Sequence, residues 1–447
     1  MKRIVAFCLT LLLLLSVSLS ALTASAADFE CTVDPVSSNV YLENLDTGIV
    51  VFEKNSDEKV YPASLTKMMT YIVVTENVHD LDNTKVTVTA DMLANLDPES
   101  SVMGLSGYIG QEFTVHELLY GLMLPSGNDA ALVLANYVGD GTVENFIEMM
   151  NRKAGQLGCK GTHFVNPHGL FDVNHYSTAK DLAVIAKYAA ERPYFKEITG
   201  TATYQISSMN EPLENTNYML NASYPQYYYQ YVNAGKTGYT DEAGKCLVTF
   251  ATKNGYNYLC VTLGAPYSFV ENVNYAMYDT QDFYRWAFDN ISIVEVLSAS
   301  TVVRTLSVDF AWGDVKADIM PKVPVQALLP NDYDKSQVTT SVELKKVTVR
   351  APVKIGDSVG LIKVYYKDEF VGSTELICGR FVEGEKVLKD TQIELNKMNY
   401  NMHRFIGFVV KNVYLLAAIF AVIVVIVVYK ISTYRKMKRR SARHRYR

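Results

Sequence analysis

A serine, a lysine three residues further on, and two polar triplets downstream carry the chemistry of this chain: Ser64-Leu65-Thr66-Lys67, Ser126-Gly127-Asn128 and Lys236-Thr237-Gly238. Together they provide a hydroxyl nucleophile, an amine able to act as its base, and further hydroxyl, amide and ammonium groups. Such a set suits acyl transfer through a serine ester. Ser64 would attack a carbonyl and Lys67 would take its proton, while the other groups bind and polarise the acyl compound. Ser126 is the candidate relay toward a leaving group, and Asn128 the candidate holder of a substrate amide. Lys236 and Thr237 suit a carboxylate, and Gly238 lets a backbone come close.

The Ser-x-x-Lys pattern alone decides little, because it occurs at Ser56 to Lys59, Ser64 to Lys67 and Ser177 to Lys180. Ser-x-Asn also recurs, at Ser37-Ser38-Asn39 and Ser208-Met209-Asn210, so Ser177, Ser208 and Lys236 form a rival triple. Context separates them. Ser56 sits in a charged stretch, KNSDEK, with nothing to desolvate its lysine. Ser177 precedes a helix pattern that Thr178 and Asp181 would cap. Ser64 instead opens a run that is apolar along most of its length, from Leu65 through Val74, and a helix of that kind is buried. Lys67 then lies one turn from Ser64 on the same face, where burial lowers an amine's pKa toward that of a useful base. The head of the helix also offers N–H groups to a developing oxyanion.

Positioning these groups requires helices between strands. A hairpin is expected at Val40 to Leu45 and Ile49 to Glu53, turning at Asp46-Thr47-Gly48. Helix patterns follow at Leu65 to Glu76, Val115 to Leu124, Asp129 to Val138, Val143 to Leu157 and Lys180 to Glu191. Ser126-Gly127-Asn128 falls between two of them, where Pro and Gly force a tight loop. Strands return at Tyr231 to Lys236, Gly244 to Thr252 and Tyr256 to Leu263, which puts Lys236-Thr237-Gly238 at a sheet edge. Strands at both ends with helices between read as an α+β domain whose terminal segments share a sheet. Beyond residue 290 strands dominate: Thr301 to Phe310, Val323 to Leu329, Gln337 to Ala351, Val359 to Tyr366 and Phe370 to Ile377. The expected order is therefore a catalytic domain over 28–288, a small all-β domain over 290–386 and a partly helical stalk over 387–412.

Both ends address a membrane. Met1-Lys2-Arg3, an apolar run and Ala24-Ser25-Ala26 make residues 1–26 a secretory signal peptide. Val413 to Tyr429 is uncharged and long enough to span a bilayer, and the tail 430–447 holds nine Lys or Arg and no acid. Positive flanks stay inside, so the tail is expected in the cytoplasm and the rest outside. With −5 overall, +2 in the leader and +9 in the tail, the segment between carries −16. That charge argues against nucleic acid as a partner. Removing Cys8 with the leader leaves five cysteines at irregular spacing, which read as buried free thiols rather than a disulfide framework or metal site.

These blocks resemble the serine-type D-Ala-D-Ala carboxypeptidases, the low-molecular-mass penicillin-binding proteins of the bacterial envelope. PASLTKMMT, LLYGLMLPSGNDAALVLA, THFVNPHGL with HYSTAKDLA, and AGKTGYT are similar to family blocks in order and setting. KVTVRAPVKIGDSVGLIKVYY is similar to the family's β domain. The resemblance implies a β-lactamase/transpeptidase-like catalytic domain, with an antiparallel sheet and helices, then a small all-β domain and here a C-terminal transmembrane helix. It implies that Ser64 is acylated by the penultimate D-Ala of peptidoglycan stem pentapeptides, that Lys67 is the base, and that Ser126 and Lys236 assist proton transfer. The oxyanion would meet the N–H groups of Ser64 and Tyr239. β-Lactams would trap Ser64, and neither a metal nor an organic cofactor is required. Two positions depart from the pattern: Thr216 stands between Asn215 and Asn217 where relatives often carry Arg, and Tyr239 replaces a common His. His163 and His168 read as structural, since Lys67 already supplies the base.

Overall fold

The computed structural model describes residues 29–268, 273–311, 313–383, 386–411 and 413–443. The expected leader, Cys8 and the end of the tail lie outside them. The chain divides into two compact units. The first holds the chain up to Leu297 with Pro324–Ser341 and Lys363–Ser373; the second holds Ser298–Val323, Val342–Ile362 and the remainder.

The first unit is built on an antiparallel sheet of β1 (Asn39–Asn44), β2 (Ile49–Lys54), β3 (Val232–Thr240), β4 (Gly244–Lys253) and β5 (Tyr256–Ala265). Its spatial order is β2-β1-β5-β4-β3, so the terminal segments do share one sheet and β3 is a free edge. Alternation along the strands sorts their side chains into two cores. Leu259, Val261 and Leu263 pack with the helices between β2 and β3, while Tyr258, Cys260 and Leu247 face the opposite layer.

On the first face lie α1 (Lys67–Asn77), α2 (Val115–Met123), α3 (Asn128–Val138), α4 (Val143–Gln156), α5 (Ala179–Ala190) and the short α6 (Phe195–Gly200). Helix α1 is buried from Lys67 to Thr75, as its apolar composition requires. A capping box starts α2, with Thr114 and Glu117 each bonding the other's backbone N–H. The second face is covered by α7 (Tyr275–Asn290).

Neither α6 nor α7 was legible as a helix pattern. In α7 the buried positions Ala276, Met277, Thr280, Phe283, Tyr284 and Ala287 repeat at helical period. Buried Asp279, Thr280 and Gln281 break the apolar stripe, and that hides it. Asp279 accepts from the backbone N–H of Val36 and Ser37, tying down the entry to β1.

Strand β6 (Ile291–Leu297) follows α7 directly and pairs with a later strand, β9 (Val325–Pro330), inside the first unit. The second unit contains β7 (Arg304–Asp309) and β8 (Lys316–Pro321), which pair antiparallel. The run expected over Gln337 to Ala351 is two strands, β10 (Val338–Leu344) and β11 (Thr348–Arg350), broken at the charged pair Lys345-Lys346. β11 joins β7 in parallel. Strands β12 (Ser358–Tyr366) and β13 (Glu369–Cys378) follow, with Lys363–Ser373 of them counted in the first unit, and Cys378 of β13 pairs with Ile319 of β8. Strand β8 escaped the sequence reading because Lys316, Asp318 and Pro321 are poor strand formers.

Two long helices close the chain, α8 (Lys386–Lys411) and α9 (Val413–Arg443). Within α9, Ala417–Arg435 is long and apolar enough to cross a membrane, and none of it is buried against protein. All five cysteines among the described residues are free thiols; four are buried, and Cys31 is half-buried.

Candidate active site

Ser64 stands in a tight 3-10 turn, Ala63–Thr66, that runs into α1 and leaves its side chain half-exposed. The turn is held from outside. Ala63 has φ +47°, and Gly169 packs so close that a Cβ there would sit 1.9 Å from the Ala63 carbonyl oxygen. From the same 167–169 loop, the Pro167 carbonyl accepts from Thr70 Oγ1 at 2.5 Å, and the His168 carbonyl accepts from Lys67 Nζ at 2.8 Å.

Lys67 is fully buried, and its Nζ lies 2.9 Å from Ser64 Oγ and 2.6 Å from Asn128 Oδ1. Three acceptors surround it, and it makes no ion pair among the described residues. Desolvation holds its pKa well below the ordinary value, and the Lys236 charge pushes the same way against a smaller opposing pull from Asp129. The amine is therefore poised to be neutral. In that form two N–H bonds serve Asn128 and His168, and the lone pair faces the Ser64 hydroxyl.

Ser126 and Asn128 come from the tight loop between α2 and α3. Ser126 adopts φ +63°, is buried, and its Oγ has no hydrogen-bond partner among the described residues. Gly127 is required there, since a Cβ would lie 2.7 Å from both Gly121 O and Asp129 Oδ1. The Asn128 carboxamide oxygen is taken by Lys67, so only its NH₂ remains to meet a substrate carbonyl.

Strand β3 brings the third motif alongside. Lys236 is buried, donates to the Thr237 carbonyl at 2.9 Å, and desolvation lowers its pKa to about 7. Thr237 Oγ1 meets Thr216 Oγ1 at 2.5 Å, so the threonine at the departing position sits directly beside the motif. A Cβ on Gly238 would lie 3.1 Å from Pro62 O and 3.2 Å from Ser64 N. The close approach that this glycine permits is that of the chain's own nucleophile turn. Tyr239 follows, with its hydroxyl donating to Asp241 Oδ1 at 2.7 Å.

Sequence reasoning overlooked the groups that brace these residues. Asp129, wholly buried, accepts from the N–H groups of Met103, Gly104, Leu105 and Ala130 at 2.8–2.9 Å, fixing the 103–105 loop to the head of α3. Its signal was an acid directly after Asn128 in a helix's first turn. His175 Nδ1 accepts from Val165 N–H, so its Nε2–H donates to Thr66 Oγ1 at 2.7 Å. His168 Nδ1 accepts from Leu170 N–H, and His163 Nδ1 contacts the Asn174 carbonyl on the surface.

The rival serines lie elsewhere. Ser177 is buried against Thr162 Oγ1 at 2.8 Å, and Lys180 turns to Asp57 at 3.2 Å. Thr178 caps α5 as expected, while the Asp181 carboxylate takes Gly161 N–H and Thr162 instead of completing the box. Ser56 donates to Glu53, and Lys59 lies over the Tyr176 ring.

A family profile described as D-alanyl-D-alanine carboxypeptidase matches residues 29–267, and one described as penicillin-binding protein 5, C-terminal domain, matches residues 293–384. The D-alanyl-D-alanine carboxypeptidase DacF of Bacillus subtilis (strain 168) is 30% identical over 368 residues, covering 81% of this chain and 90% of that protein. DacC of Escherichia coli (strain K12), also named a D-alanyl-D-alanine carboxypeptidase, is 31% identical over 375 residues, covering 82% and 89%. Among solved structures, penicillin binding protein 5 from Haemophilus influenzae aligns with a TM-score of 0.59 at 27% identity, over 78% of this chain and 98% of that one.

Proposed function

Because the chain belongs to the D-alanyl-D-alanine carboxypeptidase family, we propose that Ser64 is the residue acylated as the terminal D-Ala leaves a peptidoglycan stem pentapeptide. The enzyme is a serine-type DD-carboxypeptidase, and β-lactam inhibition is typical of its family. One observation carries the residue assignment. A wholly buried lysine with no counter-ion among the described residues lies 2.9 Å from a half-exposed serine hydroxyl.

The penultimate D-Ala carbonyl is placed between the N–H groups of Ser64 and Tyr239, with the terminal carboxylate at Lys236 and Thr237. Neutral Lys67 takes the Ser64 proton as Oγ attacks the carbonyl carbon. The negative oxygen is met by the two N–H groups, and the peptide nitrogen leaves as D-Ala after receiving a proton through Ser126. Its unpartnered hydroxyl suits that relay. Water then cleaves the ester and restores Ser64. A β-lactam presents the same carbonyl and carboxylate and stays attached after its ring opens.

The apolar helix that ends the chain is compatible with membrane anchoring. We place the catalytic unit on the extracytoplasmic face and the basic tail in the cytoplasm, from the positive charge that follows the apolar segment.

Assaying D-Ala release from a soluble pentapeptide beside nitrocefin turnover tests the function. The wild type should release D-Ala with negligible nitrocefin hydrolysis, and Ser64→Ala should do neither nor take up fluorescent penicillin. Fast nitrocefin turnover without D-Ala release would make the protein a β-lactamase instead.

A further inference from the structure

One charged group beside the site has no part in the acylation steps. Tyr239 pairs in register with Lys245 across β3 and β4. The Lys245 Nζ lies 3.9 Å from the Tyr239 ring centroid and 4.1 Å from that of Tyr267. The two rings meet edge to face with centroids 5.6 Å apart. Lys245 is half-buried, and among the described residues it makes neither an ion pair nor a hydrogen bond. Burial lowers its pKa, as expected for an ammonium faced by rings rather than by oxygen. At the hydroxyl end of Tyr239 is an exposed carboxylate, Asp241, which accepts from the tyrosine hydroxyl and keeps further lone pairs. One half-exposed tyrosine thus carries a cation over its ring and an anion at its hydroxyl.

The direction of a bound peptide follows from the acyl-site reading, on which this inference rests. With the terminal carboxylate at Lys236 and Thr237 and the scissile carbonyl at Tyr239 N–H, the substrate runs antiparallel along the free edge β3. The residue ahead of the two D-Ala then passes Thr240 and Asp241, roughly 3.4 Å further along. In stem peptides that residue is a diamino acid. Its side chain ends either in a lone ammonium, as in lysine, or in an amino-acid zwitterion, as in diaminopimelate.

We propose that Lys245, over the Tyr239 ring, and Asp241, at its hydroxyl, form a subsite for the zwitterionic end of that diamino acid. The carboxylate meets Lys245 and the ammonium meets Asp241. A lysine side chain leaves Lys245 unpaired and brings a second positive charge toward it, so the subsite selects for the carboxylate.

Two soluble pentapeptides ending in D-Ala-D-Ala, one with lysine and one with diaminopimelate at the third position, test this with the full-length protein in detergent. The wild type should favour the diaminopimelate peptide in kcat/KM by about tenfold, mainly through KM, a difference of about 1.4 kcal/mol. Lys245→Met should bring the ratio close to one, and Lys245→Arg should keep most of the preference. Asp241→Asn, at an exposed position that folding tolerates, should lower kcat/KM for both peptides and leave their ratio standing. A wild-type ratio of one, or a ratio unchanged in Lys245→Met, overturns the proposal. Labelling of the wild type by fluorescent penicillin separates the two readings. An unlabelled protein refutes the acyl site, whereas a labelled protein indifferent to the third residue refutes only the subsite.

Discussion

Lys67 shows how a residue's surroundings decide its chemistry. The same side chain at Lys180 faces water and pairs with Asp57 at 3.2 Å. At Lys67 the absence of a counter-ion, full burial and a second ammonium nearby all favour the neutral amine. Sequence made that legible, because the apolar run after Ser64 announces burial. It did not make the braces legible. His175 reaches the site through contacts between distant segments that no local spacing records, and Asp129 left only the acid after Asn128 as a signal. His168 and His175 also carry a pH consequence. Burial leads among the causes that push their pKa values down, to about 3 and about 4. Unfolded imidazoles take up a proton near about 6.5, so between these values the unfolded chain binds more protons and acidification costs stability. The melting temperature should fall as pH drops from about 7 to about 5.5, above the range where most carboxylates titrate. Replacing both histidines by Gln should flatten that slope, whatever it costs in absolute stability. A wild-type melting temperature flat over this range would speak against the buried neutral rings.

Elements position the site through three short backbone segments: the turn before α1, the loop before α3 and the edge strand β3. Strong periodicity placed α1 to α5 and four of the five sheet strands within a residue or two of their sequence-based limits, while β3 runs on to Thr240, four residues past the expected Lys236. Two of the misses share one cause, local composition overruled by tertiary packing: α7 with its buried polar residues and β8 with its Lys, Asp and Pro. Asp129 is the clearest case of one side chain holding elements together. Four backbone N–H groups converge on a carboxylate with no exposure. Its loss would orphan several buried donors at once. Asp129→Ala should destabilise the catalytic unit by about 3 kcal/mol or more in urea unfolding, with raised protease cutting near residues 101–105. A change under about 0.5 kcal/mol, the size of an ordinary surface substitution, would show that the loop is fixed by something else.

At the scale of the whole molecule, charge and hydropathy set the arrangement before any fold does. The apolar stretch within α9 is compatible with membrane anchoring, and the acidic sequence before it and the basic residues after it are the ground for the orientation proposed above. Composition changes near residue 290, yet the first unit also takes in Pro324–Ser341 and Lys363–Ser373, with strand pairing such as β6 with β9, and no local pattern records that discontinuity. A tag placed after Arg447 should survive external protease in intact cells and be cut once the membrane is opened, while the catalytic unit is cut in both. A tag removed from outside would reverse the proposed orientation.

The central claim is that a neutral Lys67 activates Ser64, and the pH dependence of Ser64 acylation by a penicillin tests it most directly. The second-order rate should already be near its maximum around neutrality and fall on the acid side as Lys67 takes a proton, far below the about 10.4 of a free lysine. Lys67→Ala should lose about a thousandfold or more and show no such acid limb. A rate that keeps climbing toward pH 10, or a Lys67→Ala variant acylated nearly as fast as the wild type, would contradict the account.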